Sequence, residues 1–353
     1  MNSDLAERAS QAAPLQLAAA TDIGALGIYR LKRYWSRTML TRQGRPVPVN
    51  KRERHLDHLV IHASGLGLEQ AAQFLGNNGP SFEEFERWIL TTTGGIDALR
   101  VKRINAAVNG GDCPEEIKGS LAAMQAMEPV LSEEEIAFWH EHGYVVLHDA
   151  VPAGTRDAAA RALWDHLGAD RQDPDTWYRS RSHGIMVQYF QHPAFEANRR
   201  SPRIHKAFAQ LWGTADLWVT TDRVGFNVPE REGRQFPGPD LHWDVSLKSP
   251  IPLGMSGILY LTDTPPEQGA FTLVPGFHRR VDEWLANLAP GADPRQQDLH
   301  ALGSMPIGGR AGDLIIWHHA LPHGSRPNRG TQPRMVQYIA MFPTEVDEQD
   351  EWI

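Results

Sequence analysis

The spacing of apolar residues along the chain changes near residue 130. Upstream of it, the segment SFEEFERWIL places its phenylalanines, tryptophan and isoleucine on one side of a helix, and Ser81 and Glu84 have capping-box spacing. The segment LEQAAQFLG has a similar pattern and predicts a helix that ends at Gly76. We therefore predict an α-helical region over residues 21–130, after a flexible N-terminus over residues 1–20.

Downstream, the pattern changes to that of short strands. The segment LSEEEIAFWHEHGYVVL predicts a helix with a capping box at Ser132 and Glu135, followed by a strand after Gly143. From Ile185 onward, runs of β-branched and aromatic residues alternate with Gly and Pro breaks. These runs are IMVQYF, LWVTTDRVGFN, LHWDVSL, GILYLTD, AFTLVPG, GDLIIWHHAL and RMVQYIAMFP. Seven or more strands without regular helices between them predict an antiparallel sandwich or barrel over residues 131–345.

Composition narrows the class of protein. With 353 residues, 41% of them apolar, the chain can bury a sizeable core, and its net charge of -8 argues against nucleic acid as the main partner. A single cysteine, Cys113, cannot form an internal disulfide. No apolar run is long enough to span a bilayer, and Asp4 and Glu7 do not suit a secretory signal. We expect a soluble cytoplasmic protein with neither nucleic-acid nor membrane partners.

Two local runs of charge depart from the average. Residues 30–52 hold eight Lys or Arg and no acid, whereas the last ten residues hold five acids. The basic run predicts either a face that is solvated or packed against the acidic remainder, or a docking surface for an acidic carrier protein or a phosphorylated substrate. For residues 346–353 we expect a solvated acidic tail.

The segment LHWDVSLK places His242 and Asp244 two residues apart in a predicted strand. Side chains alternate between the faces of a strand, so these two point the same way while Trp243 points to the other side, where it is expected to pack. That geometry suits chelation of a metal ion. An isolated H-x-D is nevertheless weak evidence for a metal site.

Histidines further along the chain strengthen the case. The segment GDLIIWHHALPHGS contains His318, His319 and His323, and two histidines with one carboxylate form the facial triad of non-haem Fe(II) oxygenases. His323 is followed by Gly-Ser and lies eleven residues before Arg334. The other two histidines lack both features, so we expect them to be strand or supporting residues.

These motifs together resemble the phytanoyl-CoA dioxygenase-like branch of the Fe(II)/2-oxoglutarate oxygenases. The resemblance covers about residues 131–343 and rests on four features. They are the H-x-D, a G-x-x-x-x-x-P-G-x-H segment from Gly269 to His278, a Gly-Asp turn before the last strands, and His-Gly-Ser followed by arginine. The resemblance implies an α+β, mainly β fold: a double-stranded β-helix (jelly-roll or cupin-like) core with an α-helical N-terminal extension.

The resemblance also implies roles for individual residues. His242, Asp244 and His323 match the family's iron ligands, and Arg334 matches the arginine that pairs with the distal carboxylate of 2-oxoglutarate, with Ser325 as an auxiliary donor. A planar guanidinium can hold a carboxylate through two parallel hydrogen bonds, which fixes its orientation as well as its charge.

Two polar residues on predicted strands before the first ligand are weaker candidates. Gln188 and Asn227 would either contact 2-oxoglutarate or the substrate, or satisfy a sheet edge or a turn.

The implied reaction uses Fe(II), O2 and 2-oxoglutarate, and releases succinate and CO2 while a small organic substrate is oxidised. Related halogenases carry a small residue at the position of Asp244, so its carboxylate favours hydroxylation over chlorination. Desaturation, cyclisation and epoxidation use the same cofactors. A natural-product intermediate, an amino acid and an acyl thioester would all suit as substrate.

Alternatives from other classes are a cupin-type metal hydrolase or isomerase, and a ligand-binding protein. A hydrolase would require a general acid or base instead of a cosubstrate arginine, and would work anaerobically with zinc or manganese. We expect the helical region to shape the substrate entrance or to form a homodimer contact.

Overall fold

The computed structural model describes residues 14–179, 184–347, 349 and 351–353. Most of the predicted flexible segment, residues 1–13, lies outside the described residues.

Six helices form the N-terminal region within the described residues. They are α1 Leu31–Arg42, α2 Lys51–Ala63, α3 Leu68–Asn78, α4 Phe82–Thr93, α5 Ala98–Asn109 and α6 Glu115–Ala126. The predicted capping box at Ser81 is present, because its hydroxyl accepts from the Glu84 N–H and the Glu84 carboxylate accepts from the Ser81 N–H. The predicted end of α3 at Gly76 is wrong. The helix continues to Asn78, since the left-handed φ of 58° that ends it is adopted by Gly79.

The basic residues at the start of this region point largely into the protein. Arg30, Arg33 and Arg37 form ion pairs with Glu53 or Asp57 of α2, and Asp57 is buried. This matches the expectation that the basic run packs against acidic residues. Docking of a carrier protein on residues 30–52 stays a prediction, and these three arginines are already engaged.

The second region contains eleven strands and five further helices within the described residues. The strands are β1 Tyr144–Leu147, β2 Met186–Val187, β3 Leu217–Val219, β4 Val224–Asn227, β5 Met255–Tyr260, β6 Phe271–Leu273, β7 Met305–Ile307, β8 Leu314–His318, β9 His323–Gly324, β10 Arg334–Tyr338 and β11 Met341–Pro343. The helices are α7 Glu133–His142, α8 Ala153–Leu167, α9 Pro193–Arg199, α10 Pro202–Trp212 and α11 Val281–Ala286. None of the helices in the described ranges is long and apolar enough to cross a membrane.

Two antiparallel sheets enclose the core that carries the site. The larger has the order β1-β8-β5-β10-β4-β2 and the smaller β7-β6-β9. On β8, Ile315 and Trp317 join the apolar cluster shared with the smaller sheet, while Leu314 and Ile316 join the cluster shared with α8, α9 and α10. The larger sheet is thus covered on both faces, and the predicted jelly-roll class with a helical N-terminal part is confirmed.

The helical region is built onto the third sheet, β3–β11. Trp218 of β3 lies in the apolar core of the N-terminal helices, and the Arg103 guanidinium lies 3.9 Å from its ring centroid. Its indole N–H donates to Thr344 Oγ1 over 2.8 Å. The two regions therefore pack together through β3 and β11.

The described residues of the acidic tail are largely exposed, but they contact the protein surface. Glu351 forms an ion pair of 2.8 Å with Lys248, and the Ile353 backbone bonds with Leu247 and Ser246. These contacts hold the tail against the segment that follows Asp244.

Candidate metal and cosubstrate site

Three predicted ligands converge at one end of the jelly roll. His242, Asp244 and His323 each offer one ligand atom, and these atoms lie within 4.8 Å of one another. Asp244 Oδ1 is 3.4 Å from His242 Nε2, and Asp244 Oδ2 is 3.2 Å from His323 Nε2. The structure therefore brings together the residues that the sequence pattern selected.

The segment that carries the first two ligands is not the predicted strand. Between Pro239 and Pro250 only His242 pairs with a neighbour: its N–H donates to His323 O over 2.9 Å, and the reverse bond measures 3.0 Å. Prolines cannot donate to a sheet ladder, so the flanking backbone stays irregular. Trp243 packs as expected, with its indole N–H donating to the Ala320 carbonyl over 3.0 Å.

The rings of both histidines are oriented by backbone carbonyls. His242 Nδ1 donates to Asp240 O over 2.7 Å, and His323 Nδ1 donates to Leu321 O over 3.1 Å. In each ring this leaves Nε2 directed to the cluster, an arrangement typical of metal-binding histidines. Gly324 permits the close packing, since a Cβ there would lie 2.5 Å from the Asp240 carbonyl oxygen.

The electrostatics of the cluster favour an ionised carboxylate. Desolvation would raise the pKa of Asp244, but hydrogen bonds and charge from His242 and His323 outweigh it and hold this pKa well below its usual range. For His242, desolvation would lower the pKa, but bonds to Asp244 and to the Asp240 carbonyl raise it. An anionic oxygen beside two imidazoles is the donor set that a divalent cation requires.

This donor set fits Fe(II). Two imidazole nitrogens and one carboxylate oxygen would occupy one face of the ion and leave three positions for exchangeable ligands. Bound iron would supply activation of O2 coupled to oxidative decarboxylation of 2-oxoglutarate. The chain's own contribution is to fix the ligands and to orient whatever binds beside them.

Arg334 lies next to the cluster and suits the cosubstrate. Its side chain is fully buried, and Nη1 donates to Ser325 Oγ over 3.0 Å. Its Nε and Nη2 are buried without a hydrogen-bond partner among the described residues. Because a buried cation with unpaired donors is costly, this arrangement is typical of a site built for an anion.

Two cavities meet at the cluster. The inner cavity, of about 260 Å³, is lined by all three ligands and by Ser325 and Tyr338. Arg334 is not part of that lining, and it contacts Ser325 from outside the cavity wall. The outer cavity, of about 450 Å³, shares Asp244, Ser256, Thr220 and Ala340 with the inner one.

Two weaker candidates lie away from both cavities. The Gln188 amide donates to the Glu69 carboxylate of α3 over 3.4 Å, so it contacts the helical region. Asn227 is buried, donates to Arg326 O over 3.0 Å, and its carbonyl accepts from the Asn328 amide over 2.8 Å. The contacts of Asn227 are to backbone groups, whereas that of Gln188 is to a side chain of the helical region, and a role of either residue towards 2-oxoglutarate or substrate stays a prediction.

Other residues of the site were not selected from the sequence. Tyr338 lines the inner cavity, and strand alternation could have identified it, because it lies on β10 four residues after Arg334. His319 lines the outer cavity, with Nε2 2.9 Å from Ser256 Oγ. No sequence signal separated it from His318, whose Nδ1 instead accepts from the Ala320 N–H.

Comparisons with known proteins agree with this geometry. A family model described as phytanoyl-CoA dioxygenase matches residues 139–336, which are 198 of the 353 residues and include the three ligands and Arg334. The Ava biosynthesis cluster protein O of Aspergillus versicolor is 26% identical over 271 residues, spanning 65% of this chain and 85% of that protein.

Solved structures with a similar arrangement were also found. EctD from S. alaskensis, solved with bound Fe, is 20% identical with a TM-score of 0.44 and covers 63% of this chain and 80% of its own. HygX from Streptomyces hygroscopicus, solved with nickel and 2-oxoglutarate bound, is 16% identical with a TM-score of 0.42 and covers 61% and 88%.

Proposed function

Because the chain belongs to the phytanoyl-CoA dioxygenase family, we propose that this 2-oxoglutarate-dependent oxidoreductase hydroxylates a small organic substrate. In the overall reaction one oxygen atom of O2 enters the new substrate C–OH group and the other enters succinate, while CO2 leaves 2-oxoglutarate. The observation that carries the proposal is the buried Arg334, with two unpaired donors, beside a two-histidine, one-carboxylate cluster.

Each residue of the site has a distinct task in this proposal. His242, Asp244 and His323 would hold the iron, and the carbonyls behind the two rings keep Nε2 available to it. Arg334 and Ser325 would bind the distal carboxylate of 2-oxoglutarate and so orient its keto-acid end towards the ligands. The Asp244 carboxylate occupies a position that chloride would need, which supports hydroxylation over chlorination.

The first experiment tests the cofactor chemistry. The purified chain is supplied with Fe(II), 2-oxoglutarate and O2, and succinate is measured by mass spectrometry without added substrate. We expect slow succinate formation that Asp244→Ala abolishes, while Asp282→Ala, at an exposed aspartate of α11, leaves it unchanged. Equal turnover in the Asp244 variant would contradict the ligand assignment.

The second experiment tests hydroxylation itself. Natural-product intermediates, amino acids and acyl thioesters are incubated with the enzyme under ¹⁸O2, and product masses are recorded. Hydroxylation adds one oxygen atom that carries the label. A product that has lost two hydrogens without gaining oxygen would show desaturation or ring closure instead, and turnover under anaerobic conditions with zinc would show a hydrolase or isomerase.

A further inference from the structure

The outer cavity lies on the Asp244 side of the ligand cluster. Among the described residues its wall includes Asp244 and Ser256 but not His242, His323 or Ser325. The cosubstrate groups, Ser325 and Arg334, are therefore on the inner side. The outer cavity therefore reaches the ligand cluster at Asp244 without passing Ser325.

One part of the cavity wall is apolar. Trp212, Met255, Met341 and Phe342 line it, and Ile251 continues the same surface. A cavity of about 450 Å³ falls within the range that holds ligands of drug-like size. Burial against such a wall favours a ligand with an apolar body.

Two buried histidines of this cavity, His319 and His62, are uncharged near neutral pH. Burial lowers the pKa of His319 to about 4 and that of His62 to about 3. His319 Nε2 lies 2.9 Å from Ser256 Oγ, and the ring is fixed by close packing on Gly254, where a Cβ would lie 2.3 Å from His319 Nδ1. A serine hydroxyl both donates and accepts, so this pair can bond a hydroxyl or a carbonyl group.

The charged residues of the cavity lie at its exposed rim. Arg54 of α2 is exposed there, as are Asp347 and Glu351 of the tail. One arginine beside two acids is a poor site for the phosphates of an acyl-CoA. A free amino acid would need paired charges inside the cavity, and apart from the exposed Asp347 and Glu351 the one carboxylate among its described lining residues is that of Asp244, which the proposed function assigns to iron.

We propose that the outer cavity selects an uncharged, largely apolar small molecule, whose hydroxyl or carbonyl group is bound by Ser256 and His319. This inference rests on the proposed function, because it names the substrate class of that reaction. Part of the cavity wall comes from α2 and the tail, which lie outside residues 139–336 that match the family. The segments that surround the family core thus determine which substrate is accepted.

Binding of defined probes tests the class. The full-length chain, with Fe(II) and 2-oxoglutarate under anaerobic conditions, is titrated with 2-naphthol and with 2-naphthoate in equilibrium dialysis. We expect 2-naphthol to bind about tenfold tighter or more, because the carboxylate would lose hydration without gaining a partner. Equal or tighter binding of 2-naphthoate would overturn the proposal.

Matched variants locate the probe. Leu253→Trp fills the cavity mouth and should weaken 2-naphthol binding about tenfold or more. Leu90→Trp is the control, since Leu90 on α4 is similarly exposed, 40% against 43%, and lines neither cavity. Thermal unfolding verifies that both variants fold. Similar affinities in the two variants would place the probe elsewhere and overturn the proposal.

The polar contact has its own test. Wild-type protein should prefer 2-naphthol over naphthalene, and Ser256→Ala should remove most of that preference; an unchanged preference would refute the role of Ser256. If the proposed function itself is wrong, wild-type protein will form no succinate from 2-oxoglutarate, regardless of which probes it binds. Succinate formation without a preference for the uncharged probe would refute this inference alone.

Discussion

The surroundings of Arg334 indicate the class of ligand that suits this site, an anion. Its guanidinium is fully buried and makes one side-chain hydrogen bond, to Ser325, among the described residues. Burying an arginine without a charge partner costs desolvation free energy. A carboxylate that binds to the guanidinium offsets this cost through charge-assisted hydrogen bonds. The sequence resemblance assigned to Arg334 the binding of the distal carboxylate of 2-oxoglutarate.

We expect Arg334→Ala to raise the apparent KM for 2-oxoglutarate about 10- to 100-fold, the range for loss of a charge-assisted hydrogen-bond pair. Arg334→Lys should recover little, because an ammonium cannot form the planar two-bond pair. Initial rates of succinate formation at varied 2-oxoglutarate measure the effect. Arg329→Ala removes an exposed arginine between β9 and β10 and should leave KM unchanged; equal KM values in both alanine variants would contradict the anchor.

His62 gives a residue-scale prediction about acid stability. It is buried, its Nδ1 accepts from the Thr221 N–H over 3.2 Å, and desolvation lowers its pKa to about 3. The unfolded histidine takes up its proton near pH 6.5, so the free energy of unfolding is fully retained above that pH and falls between 6.5 and 3. His62→Asn keeps an acceptor and cannot titrate.

Urea unfolding between pH 7.5 and pH 4.5 checks this. The stability of wild-type protein should fall more steeply with decreasing pH than that of His62→Asn. His140→Asn, at an exposed histidine of α7, should follow wild type. Parallel curves for wild type and His62→Asn would show that His62 takes no part in the acid response.

At the scale of elements, the sequence patterns located long periodic segments and missed short ones. The capped helix after Ser81 follows from apolar periodicity, and the buried strand β8 follows from its run of β-branched and aromatic residues. LHWDVSLK has strand-like alternation, yet its backbone is irregular, because flanking prolines and a single bridge at His242 determine its shape. Strands β7 and β9 have three and two residues, which is too few to show any period.

The candidate site likewise contains residues that the sequence patterns selected and residues that they missed. Its candidate ligands His242, Asp244 and His323 and its candidate anchor Arg334 were selected because they have fixed spacings within motifs. Ser256 and His319 were not, since β5 and the end of β8 approach each other only in the folded sheet. The contact between Ser256 and His319 joins residues 63 positions apart and belongs to no motif, so it cannot be recognised from a single sequence.

Strand β9 joins the two ligand segments, and Gly324 tests that role. Gly324→Ala would place a methyl group 2.5 Å from the Asp240 carbonyl oxygen, which orients the His242 ring. We expect overpacking to lower the free energy of unfolding by about 1–3 kcal/mol. We also expect Fe(II) affinity to fall by a larger fraction than the free energy of unfolding does. Calorimetric metal titration and thermal unfolding measure both.

Gly154→Ala is the matched control, since a Cβ at this exposed position of α8 meets nothing within 4 Å. It should leave metal affinity unchanged and should not lower stability, because alanine has a higher helix propensity than glycine. If Gly324→Ala bound Fe(II) as tightly as this control, the backbone pairing of β9 with the His242 segment would not be what holds the ligands.

At the scale of the whole molecule, the helical region and the jelly roll depend on each other. Helix α2 supplies His62 to a backbone bond with Thr221 and lines the outer cavity, and Trp218 of β3 fills the core of the helices. The predicted role of the helical region in shaping the substrate entrance stays a prediction. Its predicted part in a homodimer stays a prediction.

The packing of Trp218 into the helical region predicts that the described regions unfold together. Trp218→Ala removes a buried indole that packs against the helices, stacks with Arg103 and bonds to Thr344, and we expect it to lower the free energy of unfolding by about 3–5 kcal/mol. Since the helices and the third sheet pack against each other, helix content and exchange of amide protons in β5 and β8 should change at the same urea concentration. Trp352→Ala, at an indole that is 66% exposed, should change stability little. Two separate transitions in the Trp218 variant, with the jelly roll as stable as in wild type, would show that the regions are independent domains joined by a weak interface.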